Sequence, residues 1–204
     1  MSPYPYVPEK PKAPPVSPAP PPNIPMVFEP DRDDPMRALA ERRIVFVRGR
    51  LDELSTNDVV AQLIAFDGRR DEPITLLLNS DGGPLDAVVP VLDTIAGCES
   101  RVAATVVGQA RGTAALLLAL ATGERLVAPN ASISLRLEPA ASVTGTTDDI
   151  VRQAEQRSAT EQRLADELAR RASYTVLEVL EAFDRGGPLT AHEAIAAGLA
   201  DRVR

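Results

Sequence analysis

The fold of this chain is decided by the stretch RVAATVVGQARGTAALLLALATGERLVAPNASISL, residues 101–135. Its first eight residues are rich in β-branched side chains, which is typical of a strand. The run TAALLLALATG, residues 113–123, predicts an apolar helix that is too short to span a membrane. Two short strands are predicted on either side of the Pro-Asn pair at 129–130. Strand and helix alternate at this pace in α/β folds with crossover connections.

The sequence before this stretch repeats the alternation. RRIVFVRG (42–49) and PITLLLNSDGG (73–83) predict two apolar strands, the second ending in a glycine turn. LSTNDVVAQLIAFDGR (54–69) predicts a helix capped by Ser55 or Thr56. PLDAVVPVLDTIAG (84–97) predicts another helix, and Pro90 inside it implies a kink or a late start. Strands that are apolar on all sides predict a sheet covered on both faces.

A long polar helix is predicted from residue 146 to residue 172. Its apolar positions form a narrow stripe, and the remaining positions are largely charged. Acidic residues at its start and Arg170 and Arg171 at its end suit the helix dipole. The pattern predicts a projecting helix that packs on a partner through its stripe. The stripe consists of Ile150, Ala154, Leu164 and Leu168.

Composition separates a tail from a body and excludes several classes of protein. Residues 1–35 hold 13 of the 19 prolines and predict a disordered tail or a removable propeptide, while residues 36–204 form the ordered domain. With 22 Lys and Arg against 29 Asp and Glu, and only 3% aromatic residues, a nucleic-acid-binding surface is not expected. No apolar run spans a bilayer and no signal peptide is evident, so a soluble cytoplasmic protein is expected.

Two chemically reactive residues occur once each. His192 lies at the start of a predicted short helix with Thr190 as its N-cap, and no glycine-rich elbow or acidic partner surrounds it. It is therefore interpreted as an exposed helix histidine. Cys98 lies at a helix end and is interpreted as a buried or incidental thiol, since one cysteine makes neither an internal disulfide nor a metal site. No cofactor is indicated.

From residue 42 onward the order of motifs resembles the proteolytic subunit of the Clp protease, a self-compartmentalising serine peptidase. NSDGG (79–83) stands where that family has Asn-Ser-Pro-Gly-Gly, and GQARGTAA (108–115) where it has Gly-Met-Ala-Ala-Ser-Met-Gly-Ala. LRLE (135–138) falls on its Ile-His-Gln-Pro segment, and TAHEA (190–194) followed by GLAD (198–201) on its closing motif. The resemblance implies a crotonase-like ββα spiral with a projecting handle helix, the helix predicted at 146–172. It also implies seven-membered rings stacked face to face, with possible tetradecamers.

The resemblance is strong in the order and spacing of the motifs and weak in the residue types at the catalytic positions. Gly112, Arg136 and Ala182 stand in the family's serine, histidine and aspartate slots. A serine peptidase needs a nucleophile, a base and a carboxylate that orients the base. The backbone amides that bind the carbonyl oxygen would carry over to Gly83 and Thr113, because such donors do not depend on the side chain.

Two surfaces also depart from the family. The outer face that receives an unfoldase loop in the family falls on four positions without an aromatic residue, so weak or indirect unfoldase binding is expected. These positions are Thr75, Leu77, Gly97 and Leu126. At the ring-to-ring contact, Leu137 and Glu181 replace a Gln and an Arg, which alters the charge of one member of the contact.

Three readings of function stay open on the sequence. The first is a catalytically inactive paralogue that acts as a structural or regulatory ring member, with itself or with active Clp paralogues as partners. The second is an active Clp serine endopeptidase whose triad lies elsewhere. The third is a crotonase-type acyl-CoA enzyme, for which Glu138 is the nearest candidate base.

Overall fold

The computed structural model describes residues 34–68, 72–139 and 145–204. The prediction of a disordered tail or propeptide at residues 1–35 falls almost entirely outside them. Within the described ranges, no helix is both long enough and apolar enough to cross a membrane.

The described residues form a parallel sheet of six strands. The strands are β1 (Ile44–Arg50), β2 (Ile74–Gly82), β3 (Val102–Arg111), β4 (Arg125–Val127), β5 (Ser132–Ser134) and β6 (Arg202–Val203). Their order is β1-β2-β3-β4-β6, and β5 pairs with the last residues of β3. All strand pairs are parallel. The predicted α/β class is therefore confirmed.

Seven helices precede, connect or follow these strands in the described ranges. They are α1 (Pro35–Glu41), α2 (Glu53–Asp67), α3 (Leu85–Gly97), α4 (Thr113–Ala119), α5 (Thr147–Ala169), α6 (Val176–Arg185) and α7 (Ala191–Ala196). Helix α3 runs through Pro90 from Leu85, so the alternative of a late start is wrong.

The N-cap of α2 differs from the prediction. Asp52 caps the helix, and its carboxylate accepts from the backbone N–H of Ser55 at 2.9 Å. The Ser55 hydroxyl in turn accepts from the N–H of Asp52, which completes a capping box. Thr56 is instead buried and donates its hydroxyl to the Asp52 carbonyl. A carboxylate one turn earlier therefore takes the role that was assigned to Ser55 or Thr56.

The core lies around β3 and the helix that follows it. Every residue of α4 is buried, and the side chains of Leu116, Leu117 and Leu118 are almost completely inaccessible. Alternate residues of β2 are buried on the same side, among them Leu76 and Leu78. An apolar helix that is enclosed on all sides fixes the end of β3 from which it starts, and this end carries the candidate site.

The prediction that the whole apolar stripe of α5 faces a partner is wrong for its C-terminal part. Leu168 is completely buried within its own chain and Leu164 is partly buried, because the C-terminal part of α5 packs on the body. The N-terminal half projects, and Ile150 is 44% exposed and Val151 50% exposed. Of the predicted stripe, the exposed residues that could meet a partner are Ile150 and Ala154, both in this half. The sequence pattern does not distinguish a stripe that packs on a partner from a stripe that packs on the chain's own core.

Candidate functional site

The site is built on a sharp turn between β3 and α4. The strand ends at Arg111, Gly112 has φ 52° and ψ −120°, and the helix starts at Thr113. This is the strand–turn–helix arrangement on which serine hydrolases expose a nucleophile. A side-chain carbon at Gly112 would lie 2.9 Å from the Arg136 carbonyl oxygen. The turn therefore keeps a conformation and a close contact that favour glycine.

A second glycine turn, at the end of β2, lies against this elbow. Gly83 is so close to the loop after β1 that a side-chain carbon would lie 1.8 Å from the Leu51 carbonyl oxygen. The Gly-Gly pair of residues 82 and 83 is therefore explained by sterics, because a side chain would clash with neighbouring backbone atoms. Gly82 makes the approach to the elbow, since a side-chain carbon there would lie 2.4 Å from the Arg111 carbonyl oxygen and 3.1 Å from the Thr113 nitrogen.

Thr113 and Gly83 are joined by two hydrogen bonds. The Gly83 N–H donates to Thr113 Oγ1 at 2.9 Å, and the Thr113 hydroxyl lies 3.1 Å from the Gly83 carbonyl oxygen, to which it can donate. Both residues are buried. The two residues expected to supply carbonyl-binding amides are therefore neighbours. However, the amide of Gly83 already has a side-chain partner, which the sequence did not reveal.

The three positions that the sequence analysis assigned to a catalytic triad, Gly112, Arg136 and Ala182, share one neighbourhood. The Gly112 N–H donates to the Ser134 carbonyl at 2.7 Å, two residues before Arg136. The Leu137 N–H donates to the Phe183 carbonyl at 2.8 Å, which ties this segment to α6 beside the partly buried Ala182. Backbone hydrogen bonds thus hold the segments that carry these three positions together.

Arg136 is exposed, and none of the ion pairs among the described residues includes it. The carboxylate of Glu138 pairs with Arg50, and that of Asp184 pairs with its neighbour Arg185 at 3.4 Å. A guanidinium offers hydrogen-bond donors and no acceptor. Arg136 can therefore bind or orient an anion, but it cannot take a proton from a nucleophile.

His192 lies away from this chemistry. It is exposed on α7, whose N-cap Thr190 forms a capping box with Glu193, as the sequence predicted for the cap and for an exposed helix histidine. Among the described residues, no hydrogen bond joins His192 to a serine or carboxylate side chain. Cys98 is partly buried at the end of α3, and burial, followed by the charge of Asp67, raises the pKa of its thiol. No group of side chains in the described ranges is arranged to hold a metal ion.

The residues expected to receive an unfoldase loop lie mainly on one face of the sheet. Leu77 of β2 is aligned with Thr105 of β3, which is aligned with Leu126 of β4. Thr75 lies two residues before Leu77, on the same face, and Gly97 is exposed at the end of α3.

This face also carries an aromatic residue that the sequence analysis missed. Phe46 of β1 is aligned with Leu77 and is partly exposed, and the guanidinium of Arg48 lies 5.9 Å from its ring centroid. The register between β1 and β2 reveals Phe46, whereas sequence spacing does not. The expectation of a face without aromatic rings is therefore incomplete.

The two residues expected at the ring-to-ring contact are placed differently. Leu137 is only 7% exposed in the isolated chain, whereas Glu181 is exposed on α6. Of the two, only the Glu181 side chain is accessible to another molecule.

Comparison with known proteins agrees with this architecture. Residues 29–204 match the model of the family described as Clp protease. The chain is 34% identical over 176 residues to the ATP-dependent Clp protease proteolytic subunit 2 of Leifsonia xyli subsp. xyli, which covers 84% of this chain and 78% of that protein. It is 33% identical over 172 residues to the proteolytic subunit 2 of Corynebacterium jeikeium, covering 83% of this chain and 82% of the relative. With the proteolytic subunit 4 of Streptomyces avermitilis it shares 31% identity over 172 residues, or 83% and 76% of the two chains.

Proposed function

This chain belongs to the Clp protease family, and we propose that it is a catalytically inactive member that acts as a structural or regulatory ring subunit. The observation that carries the proposal is the glycine at the elbow. Gly112 occupies the turn between β3 and α4 from which a serine would project, and it has no side chain. Covalent catalysis at this position therefore has no attacking atom.

The other two slots support the same conclusion. Arg136 replaces the base with a group that cannot accept a proton, and Ala182 replaces the orienting carboxylate with a methyl group. Thr113 follows the vacated position, and its hydroxyl is bonded to the backbone of Gly83 inside the protein. Among the described residues, the hydrogen-bond partner of this hydroxyl is the backbone of Gly83 and not a base. Restoring one member alone is not expected to help, because triad residues act as a unit.

The two enzymatic alternatives find less support. A peptidase with its triad elsewhere would need His192, which is the chain's one histidine and lies exposed on α7. A crotonase-type enzyme would use Glu138 as its base. The carboxylate of Glu138 is paired with Arg50, and its backbone carbonyl accepts from Arg157 at 2.7 Å. The Glu138 carboxylate is therefore already occupied by a guanidinium of its own chain.

The proposed partners are copies of this chain or active Clp proteolytic paralogues in heptameric rings, stacked in pairs to give up to fourteen subunits. Residues 36–204 would form the ring, and residues 1–35 would be a disordered tail or a propeptide. The projecting half of α5, with Ile150 and Val151 exposed, suits a contact between subunits. An unfoldase would bind this subunit weakly or through an active neighbour.

Co-expression tests the structural role. The tagged full chain would be produced with a family member that retains Ser, His and Asp, and the purified assembly would be examined by native mass spectrometry. The proposal predicts mixed rings whose peptidase rate follows the number of active subunits. A monomeric chain that never enters rings, alone or with the paralogue, would contradict it.

A further inference from the structure

The buried hydroxyl of Thr113 has a consequence for binding as well as for catalysis. In hydrolases built on this elbow, a carbonyl oxygen is held by the backbone N–H of the residue after the nucleophile and by a second N–H from a neighbouring loop. The equivalent groups in this chain are the amides of Thr113 and Gly83, two residues that the Thr113 side chain joins by hydrogen bonds. Such a pair stabilises charge on the carbonyl oxygen only if both N–H groups point at empty space.

The Gly83 amide does not point at empty space. Thr113 Oγ1 accepts its proton at 2.9 Å, close to the ideal length of an N–H···O bond. The same oxygen lies 3.1 Å from the Gly83 carbonyl oxygen, to which its hydroxyl can donate, so the side chain is held at two points. Thr113 is 1% exposed, so the hydroxyl that accepts from the amide is itself buried.

We infer that Thr113 closes the carbonyl-binding amide of Gly83, so that the vacated site neither holds nor polarises a peptide carbonyl. This inference rests on the proposed function and deepens it, because it separates loss of substrate binding from loss of the triad. A subunit closed in this way would leave peptides to its active neighbours in a mixed ring. It would not compete with them for the substrate.

A peptide carbonyl would have to displace the hydroxyl before it could bind. Displacement would leave the buried hydroxyl without its bonds, and a buried polar group without a partner is unfavourable. Shortening the side chain removes that barrier. Thr113→Ala removes the hydroxyl and opens space in front of the amide, whereas Thr113→Ser keeps the hydroxyl and serves as the matched control.

The first measurement is hydrogen exchange of the Gly83 amide in the full-length protein. We expect Thr113→Ala to accelerate this exchange at least tenfold relative to the amide of Val45, a buried residue of β1 that reports overall stability. Thr113→Ser should exchange at the wild-type rate. Equal protection of Gly83 in the wild type and in Thr113→Ala would overturn the inference.

The second measurement asks whether the opened amide can support chemistry. Gly112→Ser, Arg136→His and Ala182→Asp are combined, and the triple variant is compared with the same protein carrying Thr113→Ala or Thr113→Ser. Since one carbonyl-binding donor contributes roughly 10²–10³-fold to turnover, Thr113→Ala should raise the hydrolysis rate of a fluorogenic peptide by about that factor, and Thr113→Ser should not. A triple variant that turns over equally well with Thr113 or Ala at this position would overturn the inference.

The two measurements keep this inference separate from the proposed function. Peptide turnover by the wild type would refute inactivity, whatever the exchange rate of Gly83. Slow exchange of Gly83 in Thr113→Ala would refute closure, whatever the wild type hydrolyses. If the triad-restored proteins do not fold, the exchange experiment on the single variants decides.

Discussion

The carbonyl oxygen of Arg136 lies 2.9 Å from the position that a side-chain carbon on Gly112 would occupy. Real side-chain carbons do not approach a backbone oxygen so closely without displacing it. Gly112 also has φ 52°, which residues with a side chain rarely adopt. The backbone carbonyl of Arg136 therefore helps to restrict position 112 to glycine.

Gly112→Ser is expected to destabilise the protein by about 1–3 kcal/mol, the usual range for a residue held in a strained backbone conformation. It should produce no peptidase activity, because base and orienter are still missing. Urea unfolding and a fluorogenic peptide assay measure the two effects.

Gly49→Ser is the matched control for that variant. Gly49 has φ 65°, but a side-chain carbon there would have no atom within 4 Å. The difference in unfolding free energy between the two variants reports the contact with the Arg136 carbonyl together with the ψ of −120° at Gly112. If both lose the same stability, the elbow is no more restrictive than the turn at Gly49, and the account of the elbow is wrong on this point.

Shortening a side chain should cost much more unfolding free energy in the C-terminal part of α5 than in its N-terminal half. Leu168→Ala removes a completely buried side chain and is expected to cost about 2–5 kcal/mol of unfolding free energy. Ile150→Ala should change the stability of the isolated chain by less than about 0.5 kcal/mol, since Ile150 is largely exposed.

The same helix gives a test of assembly. Ile150→Asp is expected to shift the protein toward smaller species in sedimentation velocity, because it places a charge on the apolar surface offered to a partner. Gln153→Asp, at an exposed polar position of the same helix, is the control and should sediment like the wild type. Identical sedimentation of Ile150→Asp and the wild type would remove α5 from the proposed contact.

The pair of Arg125 and Asp201 predicts a pH dependence. The Asp201 carboxylate accepts from the backbone N–H of Arg125 at 2.8 Å and pairs with its guanidinium. Hydrogen bonding to the Arg125 side chain lowers the pKa of Asp201 below its ordinary value, despite partial burial. A lowered pKa in the folded state stabilises the protein above the ordinary aspartate pKa. This contribution is lost as the pH falls through the folded-state value.

Asp201→Asn should therefore reduce the unfolding free energy at pH 7 by about 1 kcal/mol, a value kept small because the carboxylate is partly exposed. It should also flatten the loss of stability below about pH 4, where aspartates protonate. Asp184→Asn, which alters the exposed pair with Arg185, is the control and should leave the profile unchanged. A variant at position 201 with the wild-type acid profile would show that this pair does not contribute.

Most strands and helices could be predicted from the sequence, because the spacing of apolar residues and the glycine turns determine them locally. The strands at Ile44–Arg50 and Val102–Arg111 and the capped helix around His192 follow from their own residues. Leu168 was misassigned because an apolar stripe does not state which surface it meets. The bond between Thr113 and Gly83 was missed because it joins residues 30 positions apart through a backbone approach that spacing does not encode.

Phe46 changes what is expected of the outer face. A ring beside Leu77 offers one aromatic wall to a docking loop, although Thr75 and Gly97 still offer little apolar surface. We expect weak binding to a Clp unfoldase hexamer in the presence of nucleotide, and a further weakening of at least tenfold in Phe46→Ala. The affinities are measured by titration with the purified full chain. Submicromolar binding that Leu77→Asp abolishes would contradict the weak-docking prediction.

The most direct test of the central claim is peptide hydrolysis by the wild-type chain, purified alone from a host that lacks its own Clp peptidase. Labelling by a fluorophosphonate serine probe is followed in the same sample by intact mass. With glycine at position 112 and arginine at position 136, we predict neither turnover above the buffer rate nor any mass increase from the probe. Turnover that a serine-directed inhibitor abolishes, together with a stoichiometric probe adduct on this chain, would contradict the account.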